Sequence, residues 1–223
     1  MTVIWNNLPY LMSGLRVTLV LALASIIGTL VVGALLALLR MSPLKLMQKF
    51  FAVYIDVIRM IPLLMVIFWM YFLTPKFFGV TISPFSAALA GIIVSHSTYM
   101  AEVIRSGIQS VHPGLLEAAR ASGIGYVPAM RHVVMPIAMR RVLPAIITRF
   151  VATFMATALA YAIGTTEFFR VASNVNNRVF APYEIYGFVA LVYFVISWSL
   201  SLLGKRLEKH LAAEERPVLD RSV

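Results

Sequence analysis

Long apolar stretches, separated by short polar connections, recur along the whole chain. The first, Leu15 to Leu39, has no charge between Val17 and Leu39, which exceeds the roughly 20 residues a helix needs to cross a bilayer. Phe50 to Thr74 and Pro84 to Ile104 follow, then Val142 to Gly164 and Ile185 to Gly204. Each run is too long for a strand, and in lipid every backbone polar group must be satisfied within the segment, so all five predict helices. The expected architecture is an all-α integral membrane protein with five transmembrane helices in one domain spanning residues 1–223. Its longest polar connection is residues 109–136, and its tail, 205–223, is mixed in charge, contains Pro217 and is expected to fray.

Composition agrees with the pattern, since 61% hydrophobic against 13% charged residues and a mean hydropathy of +0.88 lie far from soluble averages. The net charge of +10 is carried by residues beside the apolar runs, which fits topology signals and lipid headgroups rather than nucleic acid. Counted over alternate connections, thirteen Lys and Arg fall on one side and four on the other. This predicts an external amino terminus and a cytoplasmic carboxyl terminus, with 109–136 in the cytoplasm. The absence of cysteine excludes disulfides and thiolate metal sites, and no metal-ligand cluster stands out. The first thirty residues carry neither a basic leader nor a small-residue cleavage site, so no cleaved signal is expected.

Within the polar connection, Leu115 to Ser122 is rich in Ala, Leu, Glu and Arg, and Gly123 is a natural stop. A short helix lying across the cytoplasmic mouth results, slim along Ala118, Ala119 and Ala121, with Glu117 favoured near its start by the helix dipole. A docking element and an interfacial linker helix fit that composition equally well.

Polar residues inside the spans narrow the chemistry, because a charge at a bilayer centre needs a partner or a watery cavity. Asp56 and Arg59 stand three apart on one helix, which predicts a local ion pair, and Pro62 offers a kink one turn later; all three read as structural. On the third span, Glu102 is placed to pair with Arg105 and is also a candidate for the substrate pathway, His96 reads as a hydrogen-bonded structural histidine, and Ser97 and Thr98 are secondary pathway candidates. On the fourth, Arg149, Thr153 and Thr157 recur every fourth residue and predict a polar strip. Arginine binds carboxylates through a planar fork, so Arg149 is a candidate for holding an anionic group; an interhelical pair with Glu102 is the alternative. The small residues Ala24 and Gly28, and Gly33 and Ala37, allow close helix approach either within one subunit or between two.

Glu117-Ala118-Ala119, three residues, Gly123, nine residues, Val133, one residue and Met135-Pro136 together resemble the EAA loop of ABC importer permeases. Gly14 to Leu19, Arg59 to Leu64 and Ala101 to Ile108 extend the likeness to the polar amino acid permeases of that superfamily, of histidine, glutamine and glutamate type. The resemblance implies the type I importer permease fold, with the 109–136 helix as a coupling helix in which Glu117, Ala118, Ala119 and Gly123 meet the ATPase. It also implies a permease dimer, identical or not, two ATP-binding subunits carrying ATP and magnesium, and an extracytoplasmic binding protein in a bacterial inner membrane. The chain itself is then no enzyme and binds no cofactor, in keeping with its lack of a GxxxxGK[ST] loop. One run departs from the family: Met155 to Leu159 reads Met-Ala-Thr-Ala-Leu where Lys-Asp-Thr-Ser-Leu is usual. The missing carboxylate favours an acidic or neutral amino acid over a cationic one. An ATP-independent secondary transporter or channel would need coupling-ion chemistry or internal repeats, of which the sequence offers little, and a membrane scaffold would leave the intramembrane charges without a use.

Overall fold

A computed structural model of the chain describes residues 2–219 and, within them, the side chains of 3–208. The described residues form helices α1 (Thr2–Arg40), α2 (Lys45–Met60), α3 (Leu63–Phe78), α4 (Pro84–Gln109), α5 (Pro113–Ala121), α6 (Tyr126–Ile163), α7 (Phe168–Val179) and α8 (Pro182–Leu219). Four of them are long and apolar enough to cross a membrane, and α2 with α3 supplies a fifth span if that bent pair is taken as one.

Helix ends differ from the hydropathy limits wherever backbone bonding continues beyond the greasy stretch. α1 begins at Thr2 rather than Leu15, with Pro9 inside it, and at 1.5 Å per residue reaches about 58 Å, far beyond a hydrocarbon core of about 30 Å. α8 runs past Gly204 to Leu219 where a frayed tail was expected, because good helix formers follow the membrane segment; residues 220–223 lie outside the described ones.

The second span is broken outright. α2 and α3 meet at 102°, with Ile61 in an extended conformation and Pro62 opening α3. Proline has no N–H to continue the ladder and pushes the residue before it out of the helical region, so the expected kink becomes a change of direction. Two further prolines are absorbed differently: the chain widens into a π turn over Trp69–Leu73 ahead of Pro75 and over Met130–Val134 ahead of Pro136. The second of these lets one helix run from Tyr126, so the polar connection ends ten residues sooner than Met135-Pro136 suggested.

α4 is the central helix. It lies along α1, and Gly33 lets their backbones approach closely: a Cβ added there would sit 2.7 Å from the Met100 Cβ and 3.0 Å from the Ser97 carbonyl oxygen. Gly28 faces Ile93 in the same way, so this stretch of α1 packs within the subunit. α6 covers another side of α4 through Val142 and Ile146 against Met100. α7 is an amphipathic helix whose Phe168, Val171 and Val175 join Leu11 of α1 and Ile185 of α8 in one apolar cluster. Its start is held by the fully buried Glu167, whose carboxylate accepts from the amides of Phe169 (2.8 Å) and Arg170 (2.7 Å), while Thr18 of α1 accepts from the Phe168 amide at 2.9 Å.

Candidate functional site

Two places concentrate polar groups: a pair of cavities beside the α2–α3 break and the short helix α5. Tyr99 of α4 stands between the cavities, and its hydroxyl donates to the Arg59 carbonyl at the frayed end of α2 (3.0 Å). Arg59 and Arg149 both lie against the same ring, 5.0 and 5.6 Å from its centroid, within the range of a cation–π contact. The larger cavity, about 580 Å³, is bounded by these three residues with Glu102, Ser106 and Thr148; the smaller, about 440 Å³, opens on Met60, Ile61, Pro62, Ser95 and His96. Both fall within the size range of small-molecule sites.

Carboxylates here are already committed. Glu102 accepts from Arg105 one turn on, with Nη2 to Oε2 at 2.8 Å, and also from Arg40 at the end of α1. Asp56 lies 3.7 Å from Arg40, not in the local pair with Arg59 that their spacing predicted, because α2 turns Asp56 toward α1 and Arg59 toward Tyr99. The cross-helix pair of Arg149 with Glu102 does not form either; Arg40, 62 positions away in sequence, occupies that carboxylate.

The strip predicted on α6 is divided. Arg149 lines the cavities, but Thr153 is buried, donating to the Arg149 carbonyl (2.8 Å) and lying 2.9 Å from His96 Nδ1. With the threonine hydrogen spent on that carbonyl, Nδ1 is the donor and Nε2 is left as an acceptor. Thr157, the first residue of a 3₁₀ turn that ends α6, is also buried and bonds back to the Phe154 carbonyl at 2.6 Å. Ser97 and Thr98 are buried as well, bonded to carbonyls three residues back on α4, and neither lines these cavities. Tyr99, Arg40 and the His96–Thr153 contact were not found from sequence; only the three-residue spacing of His96 and Tyr99 hinted at a shared face.

α5 forms because Pro113 presets its first turn and the His112 side chain caps it, accepting from the Gly114 amide (3.1 Å). It ends one residue before Ser122. Gly123 adopts φ +80°, its amide bonding to the Arg120 carbonyl and that of Ile124 to Ala119, both 3.0 Å, which is the Schellman closure. Ala119 is buried and Leu116 packs toward Val134 and Ala138, leaving Glu117, Ala118 and Ala121 on an exposed face. Arg120 rests over Tyr126, 5.5 Å from its ring, and ties α5 to the start of α6.

Residues 29–216 match the family described as Binding-protein-dependent transport system inner membrane component. The chain belongs to that family. Among its relatives, the probable glutamine ABC transporter permease protein GlnP of Bacillus subtilis (strain 168) is 35% identical over 208 residues, covering 91% of this chain and 94% of the relative. The glutamate/aspartate import permease protein GltK of Escherichia coli O6:H1 is 34% identical over 213 residues, covering 92% and 95%. A solved amino acid ABC transporter with histidines superposes with a TM-score of 0.87 at 33% identity, over 93% of this chain and 96% of that one. A methionine ABC transporter in an inward-facing conformation shares the fold, with a TM-score of 0.77 at 19% identity. This family member is a permease subunit of an amino acid ABC importer, a multi-pass membrane protein with the type I permease fold. It is not an enzyme, because ATPase activity in such importers sits in separate subunits. No group of three potential metal ligands occurs among the described residues.

Proposed function

We propose that this permease carries a polar amino acid, acidic or neutral, across a bacterial inner membrane by alternating access, with its amino terminus outside and its carboxyl terminus in the cytoplasm. A binding protein delivers the substrate outside; two ATP-binding subunits, with ATP and magnesium, drive two permeases, identical or paired with a different one, from inside. The observation that carries this reading is Arg149 at the cavities beside the α2–α3 break, a fork suited to an amino acid carboxylate. Relatives named for glutamine and for glutamate and aspartate support the same substrate range. α5 supports the coupling: Glu117 and Ala118 are exposed on a helix capped at both ends, Gly123 is exposed just beyond it, and Leu116 packs the helix toward Val134 and Ala138 of α6. Glu102, Arg59 and Pro62 line the cavities, Asp56 stays beside Arg40 outside them, and the buried Thr153, Thr157, Ser97 and Thr98 are not part of the lining.

Two measurements test the proposal. Arg149→Gln lowers substrate affinity or transport rate; unchanged affinity and rate refute the assignment of Arg149. Co-purification from native membranes brings down an ATPase subunit, and Glu117→Lys abolishes the association or its coupling. Uptake by this chain alone in liposomes without ATP would overturn the importer mechanism.

A further inference from the structure

A zwitterionic amino acid needs one cation for its carboxylate and a few acceptors for its ammonium group. The cavity beside the α2–α3 break has both: Arg149 for the first, and for the second the carbonyls of Met60 and Ile61, which line the smaller cavity and receive no backbone N–H. A second cation, Arg59, is then unaccounted for. Around this region stand four arginines, Arg40, Arg59, Arg105 and Arg149, against two carboxylates, Asp56 and Glu102. The carboxylates are engaged by Arg40 and Arg105, and neither Arg59 nor Arg149 makes a salt bridge among the described residues. Arg59 feels the Glu102 carboxylate only from beyond salt-bridge distance, and four arginines against two carboxylates leave an excess of two positive charges beside these cavities.

From this geometry we infer that the cavity selects a dicarboxylic amino acid, with one carboxylate held by Arg149, the second by Arg59, and the chain between them lying along Tyr99. The inference rests on the importer reading and narrows its substrate to the acidic class. The two guanidinium carbons are no more than about 11 Å apart, the sum of their distances to the Tyr99 ring, so both lie within reach of one short dicarboxylate. A cationic amino acid would add a third positive charge to the same space. A neutral one would leave Arg59 unpaired.

Binding to the detergent-purified permease–ATPase complex without its binding protein isolates the permease's own preference. Tritiated L-glutamate and L-aspartate should bind at least ten-fold more tightly than L-glutamine, and L-lysine should not compete. Arg59→Gln should shrink the glutamate-to-glutamine affinity ratio at least ten-fold, while Arg59→Lys retains most of it; co-purification of the ATPase subunit verifies that each variant is assembled. A wild-type complex that binds glutamine as well as glutamate overturns the inference, and so does an Arg59→Gln variant that weakens both ligands equally. ATP-dependent uptake of glutamine without glutamate binding defeats only the dicarboxylate assignment, whereas a complex with no ATP-dependent uptake of any amino acid defeats the importer reading with it.

Discussion

Gly123 is the residue at which local backbone geometry and coupling are most directly joined. Its φ of +80° turns the chain from α5 back toward α6, and a Cβ added there meets nothing within 4 Å. The effect of substitution therefore comes from the backbone alone. A left-handed conformation costs an L-residue roughly 1–2 kcal/mol, and more for a β-branched side chain, whereas Asn tolerates the region. Since about 1.4 kcal/mol is a factor of ten in an equilibrium, Gly123→Val should reduce the equilibrium constant for closing α5 by about ten-fold. Gly123→Asn should leave it within about two-fold. The assay is ATP-driven amino acid uptake by the complete importer in proteoliposomes, with ATP hydrolysis measured in parallel. Valine should lower uptake per ATP hydrolysed far more than asparagine. Equal impairment by both would show that bulk against the ATPase, not φ, is what glycine avoids, and an unimpaired valine variant would refute the role of this turn altogether.

Three further outcomes follow from packing and hydrogen bonding. Gly33→Ala should destabilise the purified protein by about 1–3 kcal/mol because the new methyl meets the Ser97 backbone and the Met100 stem; Gly28→Ala should cost less, because it meets only the Ile93 side chain and gains helix propensity. Thermal unfolding in detergent separates the two, and equal melting temperatures would contradict the packing argument. Glu167→Ala should cost about 2 kcal/mol by leaving the Phe169 and Arg170 amides at the buried start of α7 without acceptors, while Glu167→Gln, which keeps one oxygen, should cost less by the same measurement. Thr153→Val should destabilise by roughly 1–2 kcal/mol through the lost acceptor for His96, and it should not alter the ratio of glutamate to glutamine binding, since Thr153 lies behind the cavity wall rather than in it.

What the sequence determined by itself was the class of the protein and the position of its functional parts. Long apolar runs must be helices in lipid, and Glu117 to Gly123 must cap as it does because Gly123 is the residue that most easily turns left-handed there. Glu102 and Arg105 paired as expected because a three-residue spacing on one helix leaves them neighbours whatever else the chain does. Partnerships between helices were a different matter. Asp56 was assigned to Arg59 by the same spacing rule, yet Arg40 reached it from another helix, and Arg59 turned to Tyr99 instead. Of Arg149, Thr153 and Thr157, linked by one period, only Arg149 lines a cavity, and the two threonines are buried. Hydropathy reports what a residue prefers to touch but not which helix will be beside it, and a broken span at Pro62 redirects every side chain on α2 at once. Only the tertiary structure, with its 102° turn between α2 and α3, brought Arg59 and Arg149 to the same cavities beside Tyr99.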